Sequence, residues 1–278
     1  MSYEEAMDLY GAGQKALNVY DFDTAIKLWL KSVEIFLKIE SKDDASAILN
    51  NIGLVYRALG RFQEALEHYQ KSLKISEEIG SREGEAASIN NIGLLYRVWG
   101  RYQEALEHYQ KSLKIFEEIG DRAGEGTTLN NIGLVYRALG RYQEALEHYQ
   151  KSLKIREELG DIAGKGVTLS NIGSVYRHWG RYQEALEYHQ KSLKISEEIG
   201  DRAGEGTTLN NIGLVYRALG RYQEALEYHQ KSLKIREELE DRAGEGITLN
   251  NIGEVYYAWG RFQEALEHYQ KALKIQES

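Results

Sequence analysis

Hydrophobic positions along the chain recur with helical spacing, and the same pattern returns every 40 residues. Between Asp121 and Gly160, the apolar residues form two stripes, each suited to one buried face of an α-helix. The first stripe, in a helix we call helix A, comprises Leu129, Ile132, Val135, Tyr136 and Leu139. The second stripe, in helix B, comprises Tyr142, Ala145, Leu146, Tyr149, Leu153, Ile155 and Leu159. Each repeat is therefore predicted to be a pair of helices.

Glycines and one capping residue mark the ends of these helices. Gly120 and Gly160 end successive B helices, Gly140 ends helix A, and Asp121 is a good N-cap for helix A. Gly133 lies in the middle of helix A and has no side chain, so its partner helix is expected to lie against its backbone. A bulky residue there is expected to overpack the contact.

A fixed period of this length predicts a solenoid, in which each unit buries its apolar face by stacking on its neighbours. No linker interrupts the repeat. Ser2 and Glu5 form a capping-box pattern, so a helix is expected to begin there. The last unit has no polar capping helix after it, and we expect either that the natural chain continues or that this end packs against another surface. A single array of seven units is predicted, over residues 2–40, 41–80, 81–120, 121–160, 161–200, 201–240 and 241–278.

The repeat resembles the tetratricopeptide repeat. The positions that carry the resemblance are Leu129, Ile132, Gly133, Tyr136, Ala145, Tyr149 and Ser152. Two positions depart from the family pattern: Leu129 replaces the leading aromatic residue, and Glu157 replaces the closing proline, which lets helix B run about one turn further. The long form is similar to the repeats of cell-polarity adaptors, which bind extended peptides, and to arrays in bacterial signalling proteins, which are fused to an effector domain. The resemblance implies an all-α, right-handed superhelical solenoid of about seven helix-turn-helix repeats.

Composition narrows the range of functions. The chain has no cysteine, which excludes disulfides and thiolate chemistry. Its net charge of −8 argues against general affinity for nucleic acid. It has neither an apolar run of membrane-spanning length nor a basic leader, so no membrane association is expected and a cytoplasmic location is the default.

The resemblance also places helix A on a concave face, where its polar side chains would meet a ligand. An asparagine amide can pair with the peptide units of an extended chain, and a guanidinium can select carboxylates. The predicted partner is therefore a protein or peptide with an extended, acidic segment. The predicted peptide-binding residues are Asn50, Asn51, Arg57, Asn90, Asn91, Arg97, Asn130, Asn131, Arg137, Asn171, Arg177, Asn210, Asn211, Arg217, Asn250 and Asn251.

Structural roles for the same residues stay open. The asparagines could bond the neighbouring helix and fix the stacking of repeats. The arginines could pair with Glu85, Glu125 or Glu205 of adjacent units. Helix A of the fifth repeat differs from the others, with Ser170, Ser174 and His178 where they have Asn, Leu and Ala. Such divergence fits either selection for a ligand or tolerance of an exposed face.

No catalytic, metal or cofactor site is predicted. Ser174 and His178 lie four residues apart on one helix face, but no acidic residue is placed to orient the histidine. Histidines on helix B, such as His68, occur once per unit without a second ligand, which argues against zinc. The stretch Gly164 to Thr168 lacks the spacing of a phosphate loop.

The sequence therefore predicts a protein–protein interaction module that holds a peptide along its concave face, and not an enzyme. An alternative is an architectural spacer, or an arm of a larger signalling protein that self-associates through its C-terminal residues 272–278. A third is an engineered repeat scaffold.

Overall fold

The computed structural model describes residues 2–277, and within them the chain forms fourteen α-helices and no strand. Odd-numbered helices are the predicted A helices and even-numbered helices are the B helices, so the prediction of about seven helix pairs is confirmed. In this part of the chain, no helix combines the length and apolar character that crossing a membrane requires. The helices are α1 Tyr3–Asn18, α2 Phe22–Lys38, α3 Lys42–Ala58, α4 Phe62–Ile79, α5 Arg82–Val98, α6 Tyr102–Ile119, α7 Arg122–Ala138, α8 Tyr142–Leu159, α9 Ile162–His178, α10 Tyr182–Ile199, α11 Arg202–Ala218, α12 Tyr222–Glu238, α13 Arg242–Ala258 and α14 Phe262–Glu277.

The chain divides into two compact units, Met1–Val135 and Tyr136–Ser278, which we call unit 1 and unit 2. In unit 1, each helix from α1 to α6 packs on the next, and α3 also contacts α5. In unit 2, each helix from α8 to α14 packs on the next, and α11 also contacts α9 and α13. Contacts between consecutive A helices bring their side chains together on one side of each unit. The prediction of a single uninterrupted array stays a prediction.

Residues in the left-handed conformation end many of the helices. Gly80 and Gly200 each have a φ of 70°, which glycine adopts without a steric penalty. Glu240 occupies the matching position after α12 with a φ of 54°, although it carries a side chain. Asp201 then caps α11, because its Oδ1 accepts a hydrogen bond of 2.9 Å from the backbone N–H of Gly204. The predicted start and stop signals are the ones that the chain uses.

The core of each repeat depends on close approach between helices A and B. Tyr109 of α6 is completely buried, and a Cβ added to Gly93 of α5 would lie only 2.9 Å from its ring. This contact is the close approach that a central glycine predicts. Two residues assigned to the apolar stripes lie outside the core: Leu139 is 42% exposed and Leu159 is 49% exposed. Each lies at the end of its helix, beyond the reach of the next layer, so their assignment to the buried stripes was wrong.

Two repeats of unit 2 exchange a histidine and a tyrosine in helix B. His189 and His229 are completely buried at the position that Tyr109 occupies in unit 1. Neither ring nitrogen of His189 has a hydrogen-bond partner, and the Nε2 of His229 lacks one, while its Nδ1–H donates to Oδ1 of Asn210 at 2.9 Å. Burial lowers the pKa of both imidazoles to about 3, and nearby arginines add to this effect. Both histidines are therefore neutral in the folded protein.

Candidate functional site

The A helices present a continuous polar surface within each unit, which we call the A-helix face. In α3 this face comprises Asn50, Asn51, Leu54 and Arg57, and the same positions of the other A helices extend it. Ile52 and Gly53 lie between these residues and are buried in the core. The helical period therefore turns the apolar residues inward and leaves the amides and guanidiniums half-buried at the surface.

In unit 1, hydrogen bonds join the asparagines of neighbouring A helices. The Nδ2 of Asn91 donates to Oδ1 of Asn50 at 3.4 Å, and the Nδ2 of Asn131 donates to Oδ1 of Asn90 at 3.3 Å. Asn51 instead donates to the hydroxyl of Tyr10 at 3.4 Å, because the first repeat has tyrosine on this face. The second asparagine of each repeat thus binds to the first of the repeat before it.

Unit 2 repeats this arrangement with one change. The Nδ2 of Asn251 donates to Oδ1 of Asn210 at 2.9 Å, and the Nδ2 of Asn211 donates to the hydroxyl of Ser170 at 3.3 Å. Serine replaces asparagine in the fifth repeat and still supplies the acceptor. The asparagines of both units therefore have the structural role of bonding the neighbouring A helix. Each of these bonds uses only one of the donor N–H groups of an amide, so the role does not exclude contact with a ligand.

The arginines of unit 1 lie half-buried beside the aromatic core. The Nε atoms of Arg57 and Arg97 are shielded from solvent and have no hydrogen-bond acceptor. Burial raises the pKa of Tyr69 and of Tyr109 to about 12, and the charge of Arg57 or Arg97 opposes this rise. A partly desolvated guanidinium that no carboxylate pairs with favours the arrival of one, because an unpaired buried charge is costly.

Three arginines of unit 2 lie close enough for their charges to interact. Burial lowers the pKa of Arg177, and repulsion from Arg137 and Arg217 lowers it further, although arginine stays protonated. Arg217 forms an ion pair with Glu254 of the last repeat. The Nε of Arg177 is buried without an acceptor, as it is in Arg57 and Arg97. Among the described residues, no carboxylate pairs with Arg137 or Arg177, so positive charge stays uncompensated on this part of the face.

The glutamates proposed as partners for the arginine row pair elsewhere. Glu85 and Glu205 bind Arg82 and Arg202, in each case at 2.5 Å. Glu125 likewise pairs with Arg122. Each of these pairs is three residues apart on the first turn of an A helix, where the two side chains meet without crossing the face. The proposed pairing of these glutamates with the arginine row is therefore not what the structure shows.

A cavity of 340 Å³ opens on the A-helix face of unit 2. Its lining residues come from the start of α11, from the end of α10, from most of α9 and from Arg137. Ser174 of α9 lines the cavity and is 8% exposed, whereas Leu214 stands at the same position in α11. Serine is the smaller of the two side chains, and here the cavity reaches the end of α9. The lining also includes Ser170, Asn171, Arg177, His178 and Asn211.

A matching cavity of 380 Å³ in unit 1 has the opposite charge. It lies between the first turns of α3 and α5, and Asp43, Asp44 and Glu83 line it together with Asn50. No arginine or lysine lines this cavity. Acidic residues therefore line the cavity in unit 1, whereas Arg137 and Arg177 line the cavity in unit 2.

The predicted binding residues thus lie on the A-helix faces of the two units, and within each unit hydrogen bonds join many of them. The cavity and its serine were not among the predicted site residues. The signal that could have found them is the departure of Ser170, Ser174 and His178 from the repeat pattern. Within the described residues, no group of three or more histidine and acidic side chains could hold a metal ion.

The sequence profile of the tetratricopeptide repeat family matches the chain six times. The matches cover residues 18–78, 44–118, 84–158, 124–198, 165–238 and 204–278. These overlapping segments include nearly all of the chain. Comparison with curated proteins gives no match.

Several solved structures share this fold at low sequence identity. Aspartyl phosphate phosphatase F from Bacillus subtilis is 18% identical with a TM-score of 0.80, covering 99% of this chain and 70% of that one. The Rap conjugation gene regulator of plasmid pLS20, in complex with the Phr* peptide, is 17% identical with a TM-score of 0.73, covering 97% and 73%. BtubC from P. vanneervenii is 22% identical with a TM-score of 0.65, covering 76% and 89%. At these identities the likeness shows the fold alone.

Proposed function

Because the chain belongs to the tetratricopeptide repeat family, we propose that its A-helix face holds an extended peptide and that arginines on this face select acidic segments. The observation that carries the proposal is the partly buried guanidinium of Arg177, whose Nε has no acceptor, beside an Arg137 without a carboxylate partner. An incoming carboxylate would bind N–H groups of the guanidiniums that face the surface and offset the repulsion between the two arginines.

The asparagines contribute main-chain recognition in this proposal. Asn91 and Asn251 each use one N–H to bind the preceding repeat, which fixes the orientation of the amide. The other N–H and the Oδ1 remain available to a peptide unit. An amide held in place in this way loses little entropy when a ligand binds. The presence of the Phr* peptide in the complex of the Rap regulator is consistent with this use of the fold.

The test is binding of peptides from a random library to the parent and to two charge-matched variants. Arg137→Glu with Arg177→Glu changes the A-helix face of unit 2. Lys154→Glu with Lys194→Glu makes the same change in net charge on exposed parts of α8 and α10. We expect acidic peptides to bind the parent and the lysine variant, and to bind the arginine variant with roughly tenfold or more lower affinity. Binding to the parent and to the lysine variant should weaken as the salt concentration rises. Equal binding by all three proteins would refute the role of the arginines.

A second candidate function is self-association through the last repeat. Leu226 of α12 is 4% exposed, whereas Leu266 at the same position of α14 is 49% exposed. The first helix is polar at the matching positions, since Asp8 and Lys15 of α1 stand where Ile48 and Val55 of α3 are buried. Two copies would therefore meet through their α14 faces rather than head to tail. Sedimentation velocity of the parent and of Leu266→Glu tests this self-association. A dimer of the parent that the substitution abolishes supports self-association through α14, and a parent that is monomeric at about 100 μM excludes it. The final residue of the segment assigned to self-association, Ser278, lies outside the described residues.

A further inference from the structure

The cavity beside α9 in unit 2 has the features of a pocket for one side chain of a bound peptide. Its volume of 340 Å³ exceeds that of a single amino-acid side chain, and it opens on the A-helix face rather than inside the core. It extends along α9 to Arg177 and His178, where Ser174 stands in place of the leucine found at Leu94 and Leu214. A leucine at this position would project into the same space.

Hydrogen-bond donors dominate the side of the cavity near the end of α9. The hydroxyl of Ser174 has no hydrogen-bond partner among the described residues, although the residue is more than nine-tenths buried. Ser170 accepts a bond from Asn211, which directs its own hydroxyl hydrogen elsewhere. Arg177 and Arg137 add two guanidiniums to the lining. A hydroxyl and two guanidiniums that no carboxylate pairs with match a ligand that brings several acceptor atoms and a negative charge.

The histidine of this repeat positions one of the guanidiniums. The Nδ1–H of His178 donates to the backbone carbonyl of Ser174 at 2.6 Å, so its Nε2 is the acceptor. The Nη2 of Arg177 donates to that Nε2 at 3.2 Å. Burial lowers the pKa of His178, and the charges of Arg177 and Arg137 act in the same direction, so the ring stays neutral. His178 therefore holds Arg177 at the cavity without adding a charge.

One carboxylate also lines the cavity, at its other end. Asp201 is the N-cap of α11, and its Oδ1 accepts a hydrogen bond from Gly204. Its negative charge is therefore directed at the N-terminus of α11, which compensates it. The two ends of the cavity thus differ, with uncompensated positive charge at the end of α9 and a satisfied cap at the start of α11.

From this arrangement we propose that the cavity is a specificity pocket for an anionic side chain of the bound peptide. The shared chemistry is a group with two or three acceptor oxygens, carried either by a glutamate or by a phosphorylated serine. Arg177, Arg137 and Ser174 would bind the oxygens, and Asn171 and Asn211, which also line the cavity, would bind the peptide backbone. This inference rests on the proposed function and adds one position at which the peptide sequence is selected.

The test uses the full chain and four sets of random ten-residue peptides, each with one fixed residue: glutamate, glutamine, phosphoserine or serine. The pocket variant combines Ser170→Asn, Ser174→Leu and His178→Ala, which gives α9 the residues of α11 at these positions and should therefore fold. The control variant Leu214→Ala changes the same position of the next repeat without adding a donor. Circular dichroism and thermal melting establish that both variants are folded.

We expect the parent and the control to prefer glutamate over glutamine, or phosphoserine over serine, by about tenfold, and the pocket variant to lose that preference while it still binds peptides. Whichever anionic residue is preferred identifies the source of the charge. A pocket variant that keeps the preference refutes the pocket and leaves the proposed function standing. A parent that binds peptides without preference refutes the pocket and the selection of acidic segments, and leaves peptide binding standing. A parent that binds no peptide of any set refutes both.

Discussion

The buried histidines of unit 2 should make the protein sensitive to mild acid. His189 and His229 have folded pKa values of about 3, far below the value of about 6.5 expected in the unfolded chain. Their neutral forms therefore favour the folded state fully above pH 6.5, and this contribution is lost as the pH falls from there towards 3. Each histidine should cost about 1.4 kcal/mol of unfolding free energy per pH unit in this range, or about 2 kcal/mol between pH 7 and pH 5.

The perturbation is the double variant His189→Tyr with His229→Tyr. Tyrosine is the residue that unit 1 buries at this position, as Tyr109 against Gly93, so the fold has room for it. Urea unfolding followed by circular dichroism at pH 7, 6 and 5 gives the free energy of unfolding at each pH. We expect the parent to lose about 4 kcal/mol more than the variant between pH 7 and pH 5.

A matched control removes a histidine from the same unit but from outside the core. His148→Tyr gives α8 the residue that α10 has at Tyr188, and the half-buried His148 bonds only the carbonyl of Glu144 in its own helix. The control should keep the pH dependence of the parent. If the double variant loses as much stability as the parent when the pH falls, the histidines accept protons in the folded state and the reasoning from burial is refuted.

Three further predictions concern stability alone. Gly93→Ala should lower the free energy of unfolding by about 1–3 kcal/mol, because the added Cβ lies 2.9 Å from the Tyr109 ring. Gly11→Ala should raise it by about 0.5–1 kcal/mol, because an added Cβ meets nothing within 4 Å there. Urea titration of both variants checks the contrast. Glu240→Gly should raise it by about 1 kcal/mol, because the residue has a φ of 54°, and an unchanged melting temperature would count against strain at this turn. Leu226→Ala should cost about 2–5 kcal/mol and Leu266→Ala under about 1 kcal/mol, and equal losses in urea melts would contradict the difference in burial.

Much of the fold could be predicted because its determinants are local. Glycines such as Gly120 and caps such as Asp121 act within a few residues, so helix ends follow directly from sequence. The repeat then supplies the long-range information, because the packing of one pair of helices predicts the packing of the other six pairs. The burial of the last residue of a stripe is harder to predict from local pattern. Leu139 continues the spacing of its stripe, but it is exposed because the neighbouring helices do not extend far enough to cover it.

The candidate site was predictable only in part, because its chemistry depends on distances between helices. Asn50 and Asn91 are 41 residues apart, and nothing in the sequence states that their amides meet. The same limit applies to Glu85, for which the sequence allows a partner across the face or Arg82 in its own helix. The structure shows the pair with Arg82. The cavity was still harder to predict, because residues of α9, α10 and α11 line it together. A departure from the repeat pattern marks such a place without giving its shape.

The hydrogen bond between Asn91 and Asn50 has a consequence for how this gene can change. Each repeat of that pattern offers an acceptor to the unit after it and a donor to the unit before it. A unit copied into or deleted from the middle of such a series would leave every remaining donor facing an acceptor, in the same register. Recombination between repeats could therefore lengthen or shorten the protein in steps of 40 residues without requiring a new contact at the junction.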